Sequence, residues 1–319
     1  MKTLFLKRTG GGLNNQKIIL LALIIEAIEK QLPMSLPYFI NFIARKDKNW
    51  LHEKIYFPYI YKFFNRDIDI YSVFKKDSFF IFIKKHNITI KNKNYLGLVK
   101  EKQNPDKLFF KGESIINEFL KNKNYKYRDV VIDYFKYLMP SERMEKKIEY
   151  FINHALPYDA VCQLRIESDW PLDIEDSWEE KPNSVNSTPL DRCNNIFNKI
   201  KKTFPSIKTL YITYDKSALT CSFEDIEKLA INSFGFTLKE KKSSVENEFN
   251  PKNALEASII DFEIAARSNI FIGTDMSTFT SISAITKFCR DNIVPENRYL
   301  YNVSGELLVL DGKLNNFIN

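Results

Sequence analysis

Hydrophobic residues open the chain as a strand, a glycine turn and a helix. Leu4–Leu6 is a short apolar run, and Gly10–Gly12 follows it as a turn that residues with a side chain adopt poorly. Apolar positions from Asn14 to about Lys30 are dense enough to predict a helix that is buried on most sides, with Asn14 as its cap. This succession is typical of the opening of an α/β domain.

The region up to residue 150 alternates apolar runs with polar breaks. Continuous apolar runs predict strands at Phe79–Ile83 and Ile88–Ile90. Apolar residues spaced as on one helix face predict helices at Glu113–Leu120, Asp129–Leu138 and Pro140–Phe151. The pattern leaves the order of the strands open.

The rest of the chain alternates strand and helix regularly. The pattern predicts strands at Ala160–Ile166, Thr209–Thr213 and Asn269–Ile272, and helices at Cys193–Thr203, Ser222–Ser233, Ala254–Ala266 and Ser277–Phe288. Such alternation is typical of a parallel sheet with helices on both faces. With a boundary near Asn153–Pro157, we expect two α/β domains, 1–155 and 156–319, that face each other across a cleft. Ligands of such sheets bind beyond the carboxyl ends of the strands.

Composition and charge are those of an ordinary globular chain. Of the 319 residues, 44% are hydrophobic and 27% charged, and the formal net charge of +7 comes from lysines spread along the sequence, which favours a solvated surface. Attraction to an acidic partner such as nucleic acid, anionic lipid or a nucleotide sugar is the alternative. No nucleic-acid-binding motif accompanies the charge, so we expect no nucleic acid partner.

The four cysteines lie far apart without a CxxC pair, which argues against a zinc site.

The first residues lack the apolar core of a secretion signal. The longest apolar stretch, Ile18–Ile25, ends at Glu26 and is too short to span a bilayer. These features predict a cytoplasmic protein, with transient association with a membrane surface left open.

Arg165 lies inside the apolar run Val161–Ile166, where an unpaired charge is costly to bury. At a strand end its guanidinium can instead point into a cleft, where its planar fork matches two oxygens of a phosphate. Pairing with Glu167 or Asp169 is the alternative interpretation.

A second candidate site lies in Ile270–Thr280, which runs from an apolar strand through a turn of small residues into a helix. The N–H groups at that helix start, with the hydroxyls of Ser277 and Thr278, can bind an anion. The alternative is that Ser277 only caps its helix. In the preceding helix, Asp261 or Glu263 can accept hydrogen bonds from a guanine edge, unless both belong to a solvated helix face.

The glycine-rich segment Gly10–Gln16 matches neither the GxGxxG dinucleotide fingerprint nor the P-loop, because no GK[ST] follows. It comes at the carboxyl end of the first predicted strand, where ligands of α/β sheets bind. The segment lets the backbone approach a ligand closely, or it is a plain tight turn.

Three blocks in a fixed order join these features: GGGLNNQ at 10–16, QLRIESDW at 163–170 and DFEIAARSNIFIGTDMSTFT at 261–280. Their order and spacing resemble the protein O-fucosyltransferases and the wider fucosyltransferase superfamily. The second block of that family reads His-x-Arg followed by an acid, and its third carries an Asp, an apolar strand, a small turn and Ser-Ser/Thr-Phe. Gln163 stands where the family has histidine, so the donor contact at this position differs.

The resemblance implies a GT-B-like fold, in which two Rossmann-like domains face a central cleft and the carboxy-terminal one holds the donor. It implies metal-independent, inverting transfer of fucose from GDP-fucose to a glycan or protein acceptor, without a cofactor. Similarity to the family puts Asp261 at the guanine, Phe279 beside the nucleotide and Asn15 near the sugar and diphosphate. The implied catalytic residues are Arg165, Asn15 and Glu167, and the implied donor-binding residues are Gly11, Gly12, Leu13, Gln163, Asp261, Thr274, Ser277, Thr278 and Phe279.

Three alternatives stay open. Glu167 is a candidate base, but a base from the acceptor side, or none, fits equally well. A different nucleotide sugar is a second alternative, because Gln163 cannot titrate as a histidine does. A non-catalytic module that binds a nucleotide or carbohydrate is the third, and the presence of Arg165 beside Ser277-Thr278-Phe279 argues against it.

Overall fold

The computed structural model describes residues 2–41, 67–91, 99–155, 157–166, 188–215, 219, 221–241, 248–274, 277–292, 297–302 and 307–309. Its strands are β1 (Lys2–Phe5), β2 (Met34–Ser35), β3 (Phe39–Ile40), β4 (Asp67–Ile68), β5 (Val99–Lys102), β6 (Ala160–Gln163), β7 (Thr209–Thr213), β8 (Thr237–Lys239), β9 (Phe271–Gly273), β10 (Arg298–Leu300) and β11 (Leu308–Val309). Its helices are α1 (Leu13–Lys30), α2 (Ile70–Val73), α3 (Lys76–Lys85), α4 (Pro105–Lys121), α5 (Arg128–Tyr137), α6 (Glu142–Ala155), α7 (Pro189–Thr203), α8 (Phe223–Leu229), α9 (Ala254–Arg267) and α10 (Thr278–Asp291). Among these described helices, none combines the length and the apolarity needed to cross a membrane.

The amino-terminal unit is built on a parallel sheet with the order β2-β1-β5. Between β1 and α1 the chain passes through Gly11, whose φ of 70° lies in the left-handed region that favours glycine. Helices α1 and α4 pack closely at Gly112, where a Cβ would overlap the side chain of Ile18. Helices α1 and α4 of the amino-terminal unit are therefore in close contact.

The carboxy-terminal unit contains a six-stranded sheet with the order β11-β10-β9-β6-β7-β8, in which β11 alone of these strands is antiparallel to its neighbour. From β6 the chain proceeds outward to β7 and β8, and it then returns to the other side of β6 as β9. Such a reversal of strand order opens a crevice beyond the carboxyl ends of the two central strands. The topology thus places a ligand crevice at the ends of β6 and β9.

The expected α/β fold, with a parallel sheet in each half of the chain, is confirmed. The strands of the first sheet all precede residue 103, and those of the six-stranded sheet all follow residue 159. The domain limits 1–155 and 156–319 themselves stay a prediction. The predicted helix cap at Ser222 is also present, since its hydroxyl accepts a hydrogen bond from the N–H of Asp225 at 3.1 Å.

Three local predictions were wrong. Phe79–Ile83 lies in helix α3, not in a strand, because Phe79, Phe82 and Ile83 are buried on one helix face while the two residues between them are exposed. Ile88–Ile90 does not form a strand, and Ile90 makes only an isolated bridge to Met34. Asn14 does not cap α1. Gly12 occupies the N-cap position, and Asn14 is buried within the first turn.

One continuous hydrophobic core joins the two units. Ile18 and Leu21 of α1 belong to the same buried cluster as Ile259 of α9 and Ile282 of α10. Apolar burial of this kind supplies the main favourable free energy of association. Helices α1, α9 and α10 therefore meet in a shared core where the two units join.

Ion pairs at the edge of this core link α6 to α9. The Glu256 carboxylate accepts hydrogen bonds from Arg143 at 2.7 Å and from Lys147 at 2.9 Å. Arg267 donates to Glu145 through two nitrogens, at 2.6 and 2.8 Å. Glu256 and Lys147 are both almost fully buried, so their pairing matters more than that of surface charges.

Candidate functional site

The crevice at the ends of β6 and β9 brings the second and third sequence blocks into contact. Gln163 ends β6 and Gly273 ends β9. The hydroxyl of Thr280, in the first turn of α10, donates to Gln163 Oε1 at 3.0 Å and accepts from the N–H of Thr274 at 3.1 Å. Because a Cβ at Gly273 would overlap Thr280 Oγ1, a glycine is required for α10 to approach β9 this closely.

The start of α10 is capped by a side chain of its own block. Ser277 is the N-cap residue, and its hydroxyl accepts a hydrogen bond from the N–H of Phe279 at 3.2 Å. Ser277 therefore caps α10, and its predicted role in binding the donor stays a prediction. The hydroxyl of Thr274, just before this cap, is buried and has no hydrogen-bond partner in the part of the chain that the structure describes. The helix start thus combines a positive dipole end with a buried, unbonded hydroxyl.

Arg165 follows β6 at the mouth of the crevice and is partly exposed. Its backbone N–H donates to the hydroxyl of Tyr301 at 3.1 Å, and the N–H of Tyr301 donates to the carbonyl oxygen of Gly273 at 3.0 Å. Tyr301 therefore fixes the backbone of Arg165 relative to the end of β9. Glu167, the candidate base, and Asp169 lie outside the described residues, so both interpretations of that segment stay predictions.

Asn15 connects the first block to the third. Its Oδ1 accepts a hydrogen bond from the hydroxyl of Thr278 at 3.0 Å, which joins the start of α1 to the start of α10. Gly11 needs its glycine here for a second reason, because a Cβ would lie 2.9 Å from Nδ2 of Asn15. Gly12 provides no side-chain cap for α1, and Leu13, the first residue of that helix, is buried. All three sequence blocks therefore meet at one place.

Gln16 holds the glycine turn in position and was missed by the sequence interpretation. It is fully buried, and its Oε1 accepts from Thr9 Oγ1 at 2.7 Å and from the N–H of Ile40 at 2.8 Å. Its Nε2 donates to the carbonyl oxygens of Gly11 and Ile40, each at 3.0 Å. The sequence offered little signal for this role, because Gln16 stands in a run of four polar residues, Asn14–Lys17, at the start of the helix.

The structure places Asp261 in an ion pair. Its Oδ2 accepts from Lys241 Nζ at 2.6 Å, and its Oδ1 accepts from the hydroxyl of Tyr211 at 3.3 Å. Burial and the Asp261 carboxylate both raise the pKa of Tyr211, so this phenol stays protonated and donates. Asp261 lies on α9 beside β7, one strand away from the reversal point at β6 and β9.

Glu263 does not lie on a solvated helix face, so that interpretation was wrong for this residue. It is 1% exposed and accepts hydrogen bonds from Arg290 at 2.6 and 3.0 Å. Burial raises the pKa of Glu263, but the neighbouring Arg290 and Lys17 charges outweigh it and hold the pKa below its usual value. Glu263 is therefore a structural carboxylate and is unavailable to a nucleotide base.

Lys17 is the basic partner of this buried cluster on α1. Its ammonium lies 3.3 Å from the ring centroid of Phe262. Burial lowers the pKa of Lys17 to about 7, while the nearby Glu263 charge opposes the shift. This contact has no signal in the sequence, because Phe262 lies far from Lys17 along the chain.

Phe279 packs with the core behind the helix start. Its ring centroid lies 5.7 Å from that of Phe262 in an edge-to-face arrangement and 6.1 Å from that of Phe271. The ring is partly buried, so a nucleotide contact at this position stays a prediction. Within the described residues, no group of three or more His, Cys, Asp or Glu side chains is placed to bind a metal.

A curated protein with related sequence is O-fucosyltransferase 23 of Arabidopsis thaliana, which is 28% identical over 168 residues. Over this stretch the chain is similar to an O-fucosyltransferase. The match covers 47% of this chain and 36% of that protein, so the chain spans about a third of the length of the curated relative. No family model matches the sequence.

Among solved structures, POFUT1 in complex with GDP aligns with 91% of this chain and 95% of its own, at 13% identity and a TM-score of 0.49. POFUT1 in complex with GDP-fucose aligns with 91% of this chain and 94% of its own, at 12% identity and a TM-score of 0.47. A mutant of Arabidopsis thaliana FUT1 in complex with GDP aligns with 90% of this chain and 69% of its own, at 9% identity and a TM-score of 0.40.

Proposed function

We propose that this protein transfers fucose from GDP-fucose to a glycan or protein acceptor, with inversion and without a required metal. The observation that carries the proposal is the junction of the three blocks: Arg165 two residues after β6, the α10 start with Thr278 after β9, and Asn15 bonded to Thr278. The sequence relationship to O-fucosyltransferase 23 supports the reaction class. The glycan or protein acceptor and the stereochemistry are part of the proposal.

The chemistry of the reaction explains why these groups would be needed. As the bond between the sugar C1 and the phosphate oxygen stretches, negative charge grows on the β-phosphate and positive charge on the sugar ring. In the proposed complex, the Arg165 guanidinium and the N–H groups at the α10 start donate to that growing negative charge. Loss of one such donor typically costs about 3–4 kcal/mol of transition-state stabilisation, or about 10²–10³ in rate.

Asp261 can bind guanine only while it keeps its hydrogen bonds from Lys241 and Tyr211. A carboxylate has about four lone-pair sites, and Lys241 and Tyr211 use two of them. In the proposed complex, the remaining two accept the N1–H and N2–H groups of guanine. Lys241 stays beside the carboxylate in that complex.

The proton of the acceptor hydroxyl needs a destination at the end of the reaction. Glu167, two residues after Arg165, is our candidate base. A base on the acceptor itself is the alternative. A Glu167→Gln variant separates the two, because only a base at Glu167 makes transfer fall while GDP binding stays unchanged.

Calorimetry of GDP binding, with and without EDTA, tests the proposal on the wild type, Arg165→Ala, Arg165→Lys and the surface control Lys228→Ala. We expect the wild type and the control to bind GDP equally with EDTA present. Arg165→Ala should bind at least tenfold more weakly, and Arg165→Lys should fall between them, because a lysine keeps the charge but loses the planar fork.

Other outcomes would change the assignment in defined ways. If UDP, CMP or ADP binds a well-folded sample and GDP does not, the donor is a different nucleotide sugar. If GDP binds but neither hydrolysis nor transfer of GDP-fucose occurs, the protein is a binding module. If no nucleotide binds, the proposed function is wrong.

A further inference from the structure

A groove of about 130 Å³ lies between α1, α4 and α10. Its floor is apolar and is formed by Ile18, Ile116, Leu120 and Ile282. A water molecule takes about 30 Å³ in the liquid, whereas pockets for drug-sized ligands measure about 300–1,000 Å³. The size of the groove therefore suits one small ring.

The rim of this groove is polar on two sides. Glu113 and Asn117 line it from α4, and Thr278 and Ser281 line it from α10. A pyranose ring presents a face of C–H groups and a circumference of hydroxyls. An apolar floor beneath a rim of one carboxylate, one amide and two hydroxyls complements both parts of such a ring.

Glu113 is the unusual member of the rim. Among the described residues its carboxylate has no hydrogen-bond or ion-pair partner, and burial alone raises its pKa. By contrast, Glu26 and Glu29 on the facing helix α1 both pair with Lys111 of α4. A partly desolvated carboxylate without a partner costs free energy, and a sugar hydroxyl is a donor that would remove this cost.

The groove adjoins the site of the proposed transfer. Thr278 lines the groove and also donates to Asn15 at 3.0 Å. Ser277, another lining residue, is the N-cap of α10. A ring in the groove would therefore lie next to the helix start that the proposed function assigns to the diphosphate.

We propose that this groove binds one pyranose ring of the transfer reaction, seated on the apolar floor with a ring hydroxyl donating to Glu113. The ring comes either from the nucleotide sugar or from the acceptor. The role of the ring in transfer rests on the proposed function, whereas its binding to the groove can be measured separately.

Saturation-transfer NMR with methyl glycosides of fucose, galactose, mannose and N-acetylglucosamine tests the acceptor source. Each is used at about 10 mM, which suits weak binding of one ring. The proteins are the wild type, Glu113→Gln and Glu118→Gln, since Glu118 is an exposed acid on the same helix that does not line the groove. We expect Glu113→Gln alone to weaken binding about five- to tenfold, because hydrogen bonds to a charged group are stronger than neutral ones.

Calorimetry with GDP and GDP-fucose on the same three proteins tests the donor source. If the ring is that of the donor, Glu113→Gln weakens GDP-fucose binding by the same factor and leaves GDP binding unchanged. The inference is overturned if wild type and Glu113→Gln have equal affinities in both experiments, or if the wild type binds none of the methyl glycosides. If the wild type binds a methyl glycoside through Glu113 but binds no nucleotide, the proposed function fails and the groove remains a saccharide site.

Discussion

At the scale of single residues, the crevice depends on the missing side chain at Gly273. The Thr280 hydroxyl occupies the space that a Cβ would need, and that hydroxyl bonds both Gln163 and the N–H of Thr274. Packing, and not backbone conformation, therefore requires a glycine here, since the φ of Gly273 is not in the left-handed region. A larger residue would push α10 away from β6 and β9.

Gly273→Ala should lower the free energy of unfolding by about 1–3 kcal/mol, the usual cost of overpacking a core. Gly10→Ala is the control, since no atom lies within 4 Å of a Cβ at that position, and it should change stability by less than about 0.5 kcal/mol. Urea unfolding of both variants measures the difference. Equal stability of the two variants would contradict the packing argument.

At the scale of elements, α1 is surrounded on most sides, as its apolar pattern predicts. Three consecutive polar residues near its start contact different partners: Asn15 bonds Thr278, Gln16 bonds Gly11, and Lys17 lies over the ring of Phe262. Successive residues of a helix point about 100° apart, so one turn reaches the third block, the glycine turn and α9. The helix therefore connects the parts of the candidate site.

Lys17→Met should stabilise the protein most at pH 7 and below, and the gain should shrink as the pH rises toward 10. The pKa of Lys17 is about 7 in the folded protein and near 10.5 when exposed. Between these values the unfolded chain binds a proton that the folded protein does not, so wild-type stability rises with pH. Urea unfolding of both proteins from pH 6 to 10 tests this, and a constant difference would contradict it.

At the scale of the whole molecule, the two units share a hydrophobic core and are linked by ion pairs along its edge. Glu256 of α9 is 3% exposed and accepts from Lys147 and Arg143 of α6. Burial raises the pKa of Glu256, but hydrogen bonds from Lys147, the Lys252 N–H and Arg143 hold it below its usual value. These contacts set how α6 meets the helix that leads into β9 and the crevice.

Glu256→Gln should lower the free energy of unfolding by about 3–5 kcal/mol, because it leaves the buried Lys147 ammonium without its counter-charge. Glu224→Gln breaks the exposed pair with Lys228 and should cost no more than about 0.5 kcal/mol. The stabilisation by Glu256 is present above pH 4.5, the usual pKa of a glutamate, and is lost as the pH falls through its lower folded pKa. Urea unfolding at pH 7 and pH 4 compares the two variants, and similar losses at pH 7 would contradict the buried pairing.

Sequence reasoning succeeded where the information is local. The helix ending at Lys30, the strand Thr209–Thr213 and the cap at Ser222 are all present, because periodicity and capping depend on neighbouring residues. It failed for Phe79–Ile83, since a short apolar run has the same composition in a strand and in a buried helix. It also missed Thr280, whose partner Gln163 is 117 residues away in the chain.

The sequence by itself determined the α/β alternation, most helix limits and the identity of the three blocks that meet in the crevice. Each of these features depends on residues that are close along the chain. Only the tertiary structure decided that Asp261 pairs with Lys241, that Glu263 is buried against Arg290, and that Gln16 supports the glycine turn. A charge or an amide has the same sequence signal whether it faces water or a partner. Which of these it faces depends on how distant segments pack, and packing is a property of the whole fold.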